Sequence, residues 1–240
     1  MARRIARQRG YDVVEYPAPD LRRRLKLMRH ADIDLVLDVG ADTGEYVQQL
    51  RRHGYERRVV SFEPLPSSFA KLRYAAAADP LWEVVNVALG DRDDRATLNV
   101  AANSHSSSLR TVLPAHLAAA PQAGYVSAAE VEMRRLDSVF AAYRRDACRI
   151  YLKIDVQGSE REVLTGAAGC LRHIAGVQLE MSLVRLYAGQ TLLPELLALM
   201  TRRGFTLLSL EPGFTDEQTG RLLQADGVFF RPQAEGLAQP

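Results

Sequence analysis

"VLDVGADTGEY", residues 36–46, decides how the rest of the chain is read. An apolar run ends in an acid, and two glycines, Gly40 and Gly44, follow four positions apart. The segment 34–39 has the composition of a buried strand. Thr43 to Arg52 then reads as a helix with Tyr46, Val47 and Leu50 on one face. In an open parallel sheet, ligands bind beyond the carboxyl ends of the strands, which is where Asp38 and Gly40 fall. Glycines there allow close backbone approach, and a helix opening at Thr43 and Gly44 turns free amides toward a ligand. A carboxylate at this point repels a pyrophosphate and suits an ammonium group. The spacing is DxGxxxG, distinct from the GxGxxG of dinucleotide sites.

The next strand, "RRVVSFEP" at 57–64, ends in Glu63, 23 positions after Gly40. An acid at that place can accept two hydrogen bonds from a ribose diol, or it can be a solvated turn residue before Pro64. Together the two strand ends describe a nucleoside with a positively charged tail, S-adenosylmethionine. Asn86 and Asp91, near the end of a third strand (82–89), either address the adenine edge or form a turn.

Further along, 95–102 alternates and suggests an added β element. Central strands are expected at 149–156 and 174–181, with helices at 67–77, from 159 and over 192–203. Two final strands, 205–211 and 227–232, have no helix between them, which permits an antiparallel return at the sheet edge. The pattern predicts an α/β fold, a mostly parallel sheet with helices on both faces. Residues 103–128, rich in Ser, Ala, His and Pro, are expected as an inserted loop, either a disordered connector or a substrate-facing segment. Residues 1–30 form a basic extension, at least partly helical over 21–28, the domain runs from 31 to 232, and 233–240 is a flexible tail.

With 31 basic and 29 acidic residues, the chain of 240 has no bulk attraction for polyanions. The basic excess lies in residues 1–30, and no motif pairs an aromatic with a proline-rich loop to hold a flipped base, so nucleic acid is not expected as a substrate. Cys148 and Cys170 are not spaced as a metal site or redox pair. Without a signal-peptide pattern or an 18-residue apolar segment, a cytoplasmic location and no transmembrane segment are expected. Homo-oligomerisation stays open.

The segments "VLDVGADTGEY", "VVSFEPLPSSFAKL", "NVALGD", "SHSSSL", "RRLDSV", "YLKIDVQGSEREVLTGA", "VQLEMSLVRLYAG" and "RGFTLLSLEPGF" resemble, in order and spacing, the FkbM-type S-adenosylmethionine-dependent methyltransferases over about residues 30–232. The resemblance implies a seven-stranded, Rossmann-like class I methyltransferase fold with an antiparallel terminal strand. It also implies O-methylation of a small molecule, sugar or glycolipid in bacterial natural-product or envelope biosynthesis. By resemblance, Asp38, Gly40 and Gly44 hold the methionine part, Glu63 the ribose, and Ala88 with its neighbours the adenine, while "KIDVQGSE" floors the active site. Asp42 stands where the family more often has Asn in "GAN"; it keeps an acceptor and loses an amide donor.

Methyl transfer to an alcohol is in-line and releases a proton, so alignment and a nearby base both matter. Candidates are Asp155 at the end of the fourth parallel strand, Glu180 at the end of the fifth, and His105 in the inserted segment. Lys153 shares a strand face with Asp155 and needs a partner if buried. Tyr187 either lines the acceptor pocket or packs as an ordinary aromatic. Zinc lacks any ligand motif; magnesium on Asp155 and Glu180 is the remaining metal reading. The rival readings are a nicotinamide-dependent reductase, methylation of nitrogen or carboxylate, and a non-catalytic cofactor-binding scaffold.

Overall fold

The computed structural model describes Gly10 and residues 17–232. The expected tail at 233–240, and most of the extension before residue 17, lie outside the described residues. The first described helix, α1 (Pro19–His30), is longer than the 21–28 expected, starting on a proline and ending with Arg29 and His30. Its Leu21, Leu25 and Met28 are buried against the sheet.

Strand β1 (Leu35–Val39) is buried at all five positions because it lies between β2 (Arg58–Phe62) and β7 (Ile150–Ile154), parallel to both. Leu35, Leu37 and Val39 enter one core cluster and Val36 the other, so a near-continuous apolar run serves two layers. Helices α1, α2 (Glu45–Arg52) and α3 (Pro66–Ala76) contribute to the layer containing Val36. The opposite layer contains residues of α5 (Leu136–Arg144), α6 (Glu160–Gly166) and α7 (Leu193–Arg202).

The full sheet has the order β3-β2-β1-β7-β8-β10-β9, with β3 at Trp82–Val85, β8 at Ile174–Ser182, β9 at Thr206–Pro212 and β10 at Gln224–Phe230. Strand β10 inserts between β8 and β9 and runs antiparallel to both. This is the seven-stranded class I arrangement with its antiparallel terminal strand.

Two expectations change. The strand expected at 82–89 divides after Val85, and Ala88–Leu89 (β4) joins a second sheet, β4-β6-β5, with β5 at Asp94–Ala101 and β6 at Tyr125–Arg134. The segment 103–128 is not a plain loop. It folds back on β5 through the Asn99–Ser108 bridge, forms α4 (Pro114–Ala119), and enters β6 at Tyr125. Its polar residues form the structure themselves: Asn99 Nδ2 donates to the Ser108 and Arg110 carbonyls, and Asn103 Oδ1 accepts from the Ser106 amide. Among the described residues, no helix is long and apolar enough to cross a membrane.

Candidate functional site

The turn after β1 explains why Gly40 is glycine. Its φ is +74°, and a Cβ there would stand 1.8 Å from the Asp155 carbonyl oxygen at the end of β7. The Gly40 and Ala41 amides donate to the Phe62 carbonyl, tying the turn to β2. Gly44, at φ +90°, has a different reason. Its Cβ would meet the Trp82 ring at 2.7 Å and Leu72 at 2.9 Å, so it packs the turn onto the core and does not line the cavities described below.

Asp38 departs from expectation in the same way. It has no exposed surface and lines neither cavity. The sheet register explains this: Asp38 stands opposite Ser61 on one side and Lys153 on the other. Ser61 Oγ donates to Asp38 Oδ2 at 2.9 Å, and Trp82 Nε1 donates to Ser61 Oγ at 3.0 Å. Lys153 Nζ lies 3.2 Å from Asp38 Oδ1, 2.9 Å from the Gly40 carbonyl and 3.6 Å from Asp155 Oδ2. Burial alone would push Lys153 down, but Asp38 and Asp155 overcome it and hold the ammonium above the ordinary lysine range. Lys153 is thus a charged strut for the Gly40 turn.

A cavity of about 290 Å³ opens over this turn, walled by Gly40, Asp42, Phe62, Glu63, Val87, Ala88, Leu89, His105, Asp155, Gln157 and Glu180, among others. Glu63 accepts from the Leu65 amide on Oε1 (2.7 Å) and from the Asp42 amide on Oε2 (2.8 Å), which leaves further lone pairs on each oxygen. Burial raises its pKa to about 7 against the lowering effect of those two bonds. Ala88 lines the cavity, as the adenine placement requires. Asn86 does not. Its Nδ2 donates to the Glu63 and Pro64 carbonyls and fixes the turn that aims Glu63.

At the far wall, Gln157 joins two of the candidate acids. Its Nε2 donates to Asp155 Oδ1 at 2.8 Å and to Glu180 Oε2 at 2.9 Å, while Tyr187 Oη donates to its Oε1 at 2.8 Å. Gln157 holds φ +53° beside Gly158, in a turn whose amides at Val156 and Gly158 donate to buried Glu160. Glu180 also accepts from Gln224. Burial, then the nearby Asp155 and Asp226 charges, push the Glu180 carboxyl well above its ordinary range. The space between Asp155 and Glu180 is therefore taken by an amide donor. That disagrees with a magnesium ion shared by these two acids, which needs acceptors facing it. Among the described residues, no group of three or more His, Cys, Asp and Glu is arranged to hold a metal.

A second cavity, about 240 Å³, lies on the α1 side and is lined by Arg24, Thr43, Tyr46, Lys153, Gln178 and Asp226, among others. It shares four lining residues with the first: Gly40, Asp42, His105 and Asp155. His105 Nδ1 stands 2.9 Å from Asp42 Oδ2, and Asp42 Oδ1 accepts from Ser68 Oγ at 2.6 Å. The Asp that replaces the family's Asn thus orients the histidine. Ser104, Ser107, Leu98 and Leu109 complete the first cavity from the inserted segment and its sheet. Tyr187 has no exposed surface; its hydroxyl also reaches the Ser106 carbonyl, and its ring stands edge-on to His116.

Sequence reasoning placed Gln157 only within the "KIDVQGSE" floor, without a role of its own, and missed Ser61, Arg24 and Gln178. Gln157 carried a signal, a polar residue before glycine at a strand end. The others depend on register or on a helix packing across the sheet, which no local pattern encodes.

The sequence model of the methyltransferase FkbM domain matches residues 38–207. No curated protein sequence matches the chain. Among solved structures, it is similar to TehB from Haemophilus influenzae (10% identity, TM-score 0.47), covering 91% of this chain and 63% of that one. It is also similar to magnesium protoporphyrin IX methyltransferase from Synechocystis PCC 6803 with bound SAM, at 11% identity and TM-score 0.47, over 95% and 89% of the two chains. A third likeness is to M. capricolum TrmK in complex with S-adenosyl-homocysteine, at 7% identity and TM-score 0.46, over 86% and 68%. All three likenesses are distant, and the chain spans less than two thirds of the Haemophilus protein's length.

Proposed function

The chain belongs to the methyltransferase FkbM domain family; from that premise we propose that it uses S-adenosylmethionine to methylate a hydroxyl oxygen of a small molecule, sugar or glycolipid in bacterial natural-product or envelope biosynthesis. The observation that supports this reading is the meeting of two cavities at Gly40, Asp42, His105 and Asp155. The residues fit the cofactor. The lone pairs left on Glu63 suit a ribose diol, and Val87, Ala88 and Leu89 give an apolar wall for a purine. S-Adenosylmethionine supplies an electrophilic methyl group on a positively charged sulfur.

The chain's own residues then have distinct tasks. His105 is the proton acceptor: its Nδ1 lies 2.9 Å from Asp42 Oδ2, and Nε2 is left to take the alcohol proton. Asp155 accepts a hydrogen bond from a second, neighbouring hydroxyl of the acceptor and so fixes how the reacting oxygen is presented. Gln157 and Lys153 hold that carboxylate from either side. Lys153, held as an ammonium, is no base. Glu180, fixed by hydrogen bonds from Gln157 and Gln224, forms part of the acceptor-facing wall. Leu98, Leu109 and the serines of the inserted segment suit a ligand that is part apolar and part hydroxylated.

The test is incubation with methyl-labelled cofactor and separate panels of hydroxylated small molecules, sugars, glycolipids, amines, carboxylic acids and polynucleotides. Label in an alkali-stable ether is expected. Label only as an alkali-labile ester, only on nitrogen or only on polynucleotide would overturn the reading. Cofactor binding without transfer to any panel would favour the scaffold.

A further inference from the structure

The second cavity contains a buried cation that the proposed mechanism does not use. Arg24, on α1, is 8% exposed and lies 14 residues before the segment that matches the family. Its guanidinium has five N–H donors. One Nη1 bond goes to Gln178 Oε1 at 2.9 Å, Nη2 lies 3.2 Å from Glu211 Oε2, and Nε has no hydrogen-bond partner. The Asp226 and Asp155 carboxylates, the Lys153 ammonium and Thr43, just before α2, line the same cavity. Tyr46 Oη and Arg24 meet on the same Gln178 oxygen, and Gln178 Nε2 reaches back to Asp226 Oδ1 at 3.3 Å, so cation and anion walls are built into one network.

A cavity lined by a buried guanidinium and by carboxylates, and sharing Gly40 with a nucleoside-sized cavity, matches a zwitterion attached to a nucleoside. We infer that this cavity takes the amino-acid end of the cofactor, with Arg24 binding the α-carboxylate and Asp226 receiving the α-ammonium, while Asp155, paired with Lys153, is left to the acceptor. The inference rests on the cofactor reading above and replaces Asp38, which is sealed beneath Lys153, as the acid that meets the ammonium. It makes the helix before β1 part of the cofactor site.

The experiment is calorimetry on the full chain with two probes, S-adenosylhomocysteine and 5′-methylthioadenosine, which lacks the amino-acid end. In the wild type, S-adenosylhomocysteine should bind more tightly. Arg24→Met should weaken it about tenfold or more and leave 5′-methylthioadenosine within twofold. Arg24→Lys should fall between. An Arg24 that only pins α1 to β9 would change both ligands alike or neither, and either result overturns the inference. A ligand-side test avoids dependence on a folded variant: S-adenosylhomocysteine with its carboxylate converted to an amide should lose a similar factor on the wild type, and equal binding sinks the idea. If the wild type binds neither nucleoside, the cofactor reading itself fails; if it binds both equally, only the Arg24 assignment does.

Discussion

Lys153 Nζ stands 3.2 Å from an Asp38 carboxylate that has no exposed surface, directly across a parallel strand pair. The pair converts the acid at the end of β1 from a ligand contact into part of the scaffold beneath the Gly40 turn. Removing one member leaves a buried charge poorly compensated, a loss on the order of 3–5 kcal/mol. Asp38→Asn is therefore expected to lower stability toward urea by about 3 kcal/mol, since Asp155 still faces the ammonium. Any loss of cofactor affinity should follow from a loosened turn. A variant as stable as the wild type would show that the pair contributes nothing. Because the folded lysine is held above its usual range, its contribution is present at neutral pH and is lost only as pH rises past the ordinary lysine value.

Glu63 gives a pH dependence of the same sign in a lower pH window. Burial raises its pKa from 4.5 to about 7, so the folded chain holds this proton more tightly than the unfolded chain. Its contribution to stability is present below about 4.5 and is lost as pH rises through 7. A ribose diol needs the ionised form as acceptor. S-Adenosylhomocysteine affinity should then climb roughly tenfold between about pH 6 and 8 and level off above. Glu63→Gln should bind at least about tenfold more weakly, with no such slope. A flat wild-type profile would remove Glu63 from the ribose.

His105 and Asp155 separate by kinetics. His105→Ala should lower kcat by about a hundredfold or more, in the range of a lost general base. Asp42→Asn, which keeps the shape but weakens the orientation of the ring, should cost about tenfold. Asp155→Asn should also slow turnover strongly while leaving S-adenosylhomocysteine affinity within about threefold. Full turnover in either His105→Ala or Asp155→Asn would strike that residue from the mechanism.

Gly40 and Gly54 form a matched pair for backbone tests. Both have positive φ, +74° and +84°, but a Cβ at Gly40 collides with the Asp155 carbonyl, whereas one at Gly54 meets nothing within 4 Å. Gly54→Ala should cost only about 1 kcal/mol of left-handed strain. Gly40→Ala adds overpacking and should cost roughly 2–5 kcal/mol by chemical denaturation, with loss of cofactor binding. Equal effects would mean that the β1–β7 end contact yields without cost.

The strands were legible wherever burial on both faces writes an uninterrupted apolar run. "LVLDV" and "IYLKI" appear within a residue or two of their expected limits. Glu63 and Ala88 were legible as cavity residues because strand ends in a parallel sheet converge on one edge. Which of the two readings residues 103–128 would follow was not legible, because Ser and Asn, poor in core-forming content, stabilise turns by side-chain bonds to backbone that no periodicity reveals. Asn86 looked like a ligand contact and proves to hold the Glu63 turn.

The sequence by itself determined the alternation of strands and helices, the acid-and-glycine turn after β1, the second acid after β2 and the family to which they belong. Those depend on neighbours along the chain and on local backbone freedom. Only the tertiary structure decided that Asp38 is neutralised by Lys153, that Gln157 fills the gap between Asp155 and Glu180, and that Arg24 reaches the site from outside the matched segment. Each of these follows from strand register or from a helix laid across the sheet. They bring together residues as distant along the chain as Arg24 and Gln178, 154 positions apart, so the charge and hydrogen-bond balance at the site exists only once the layers have packed.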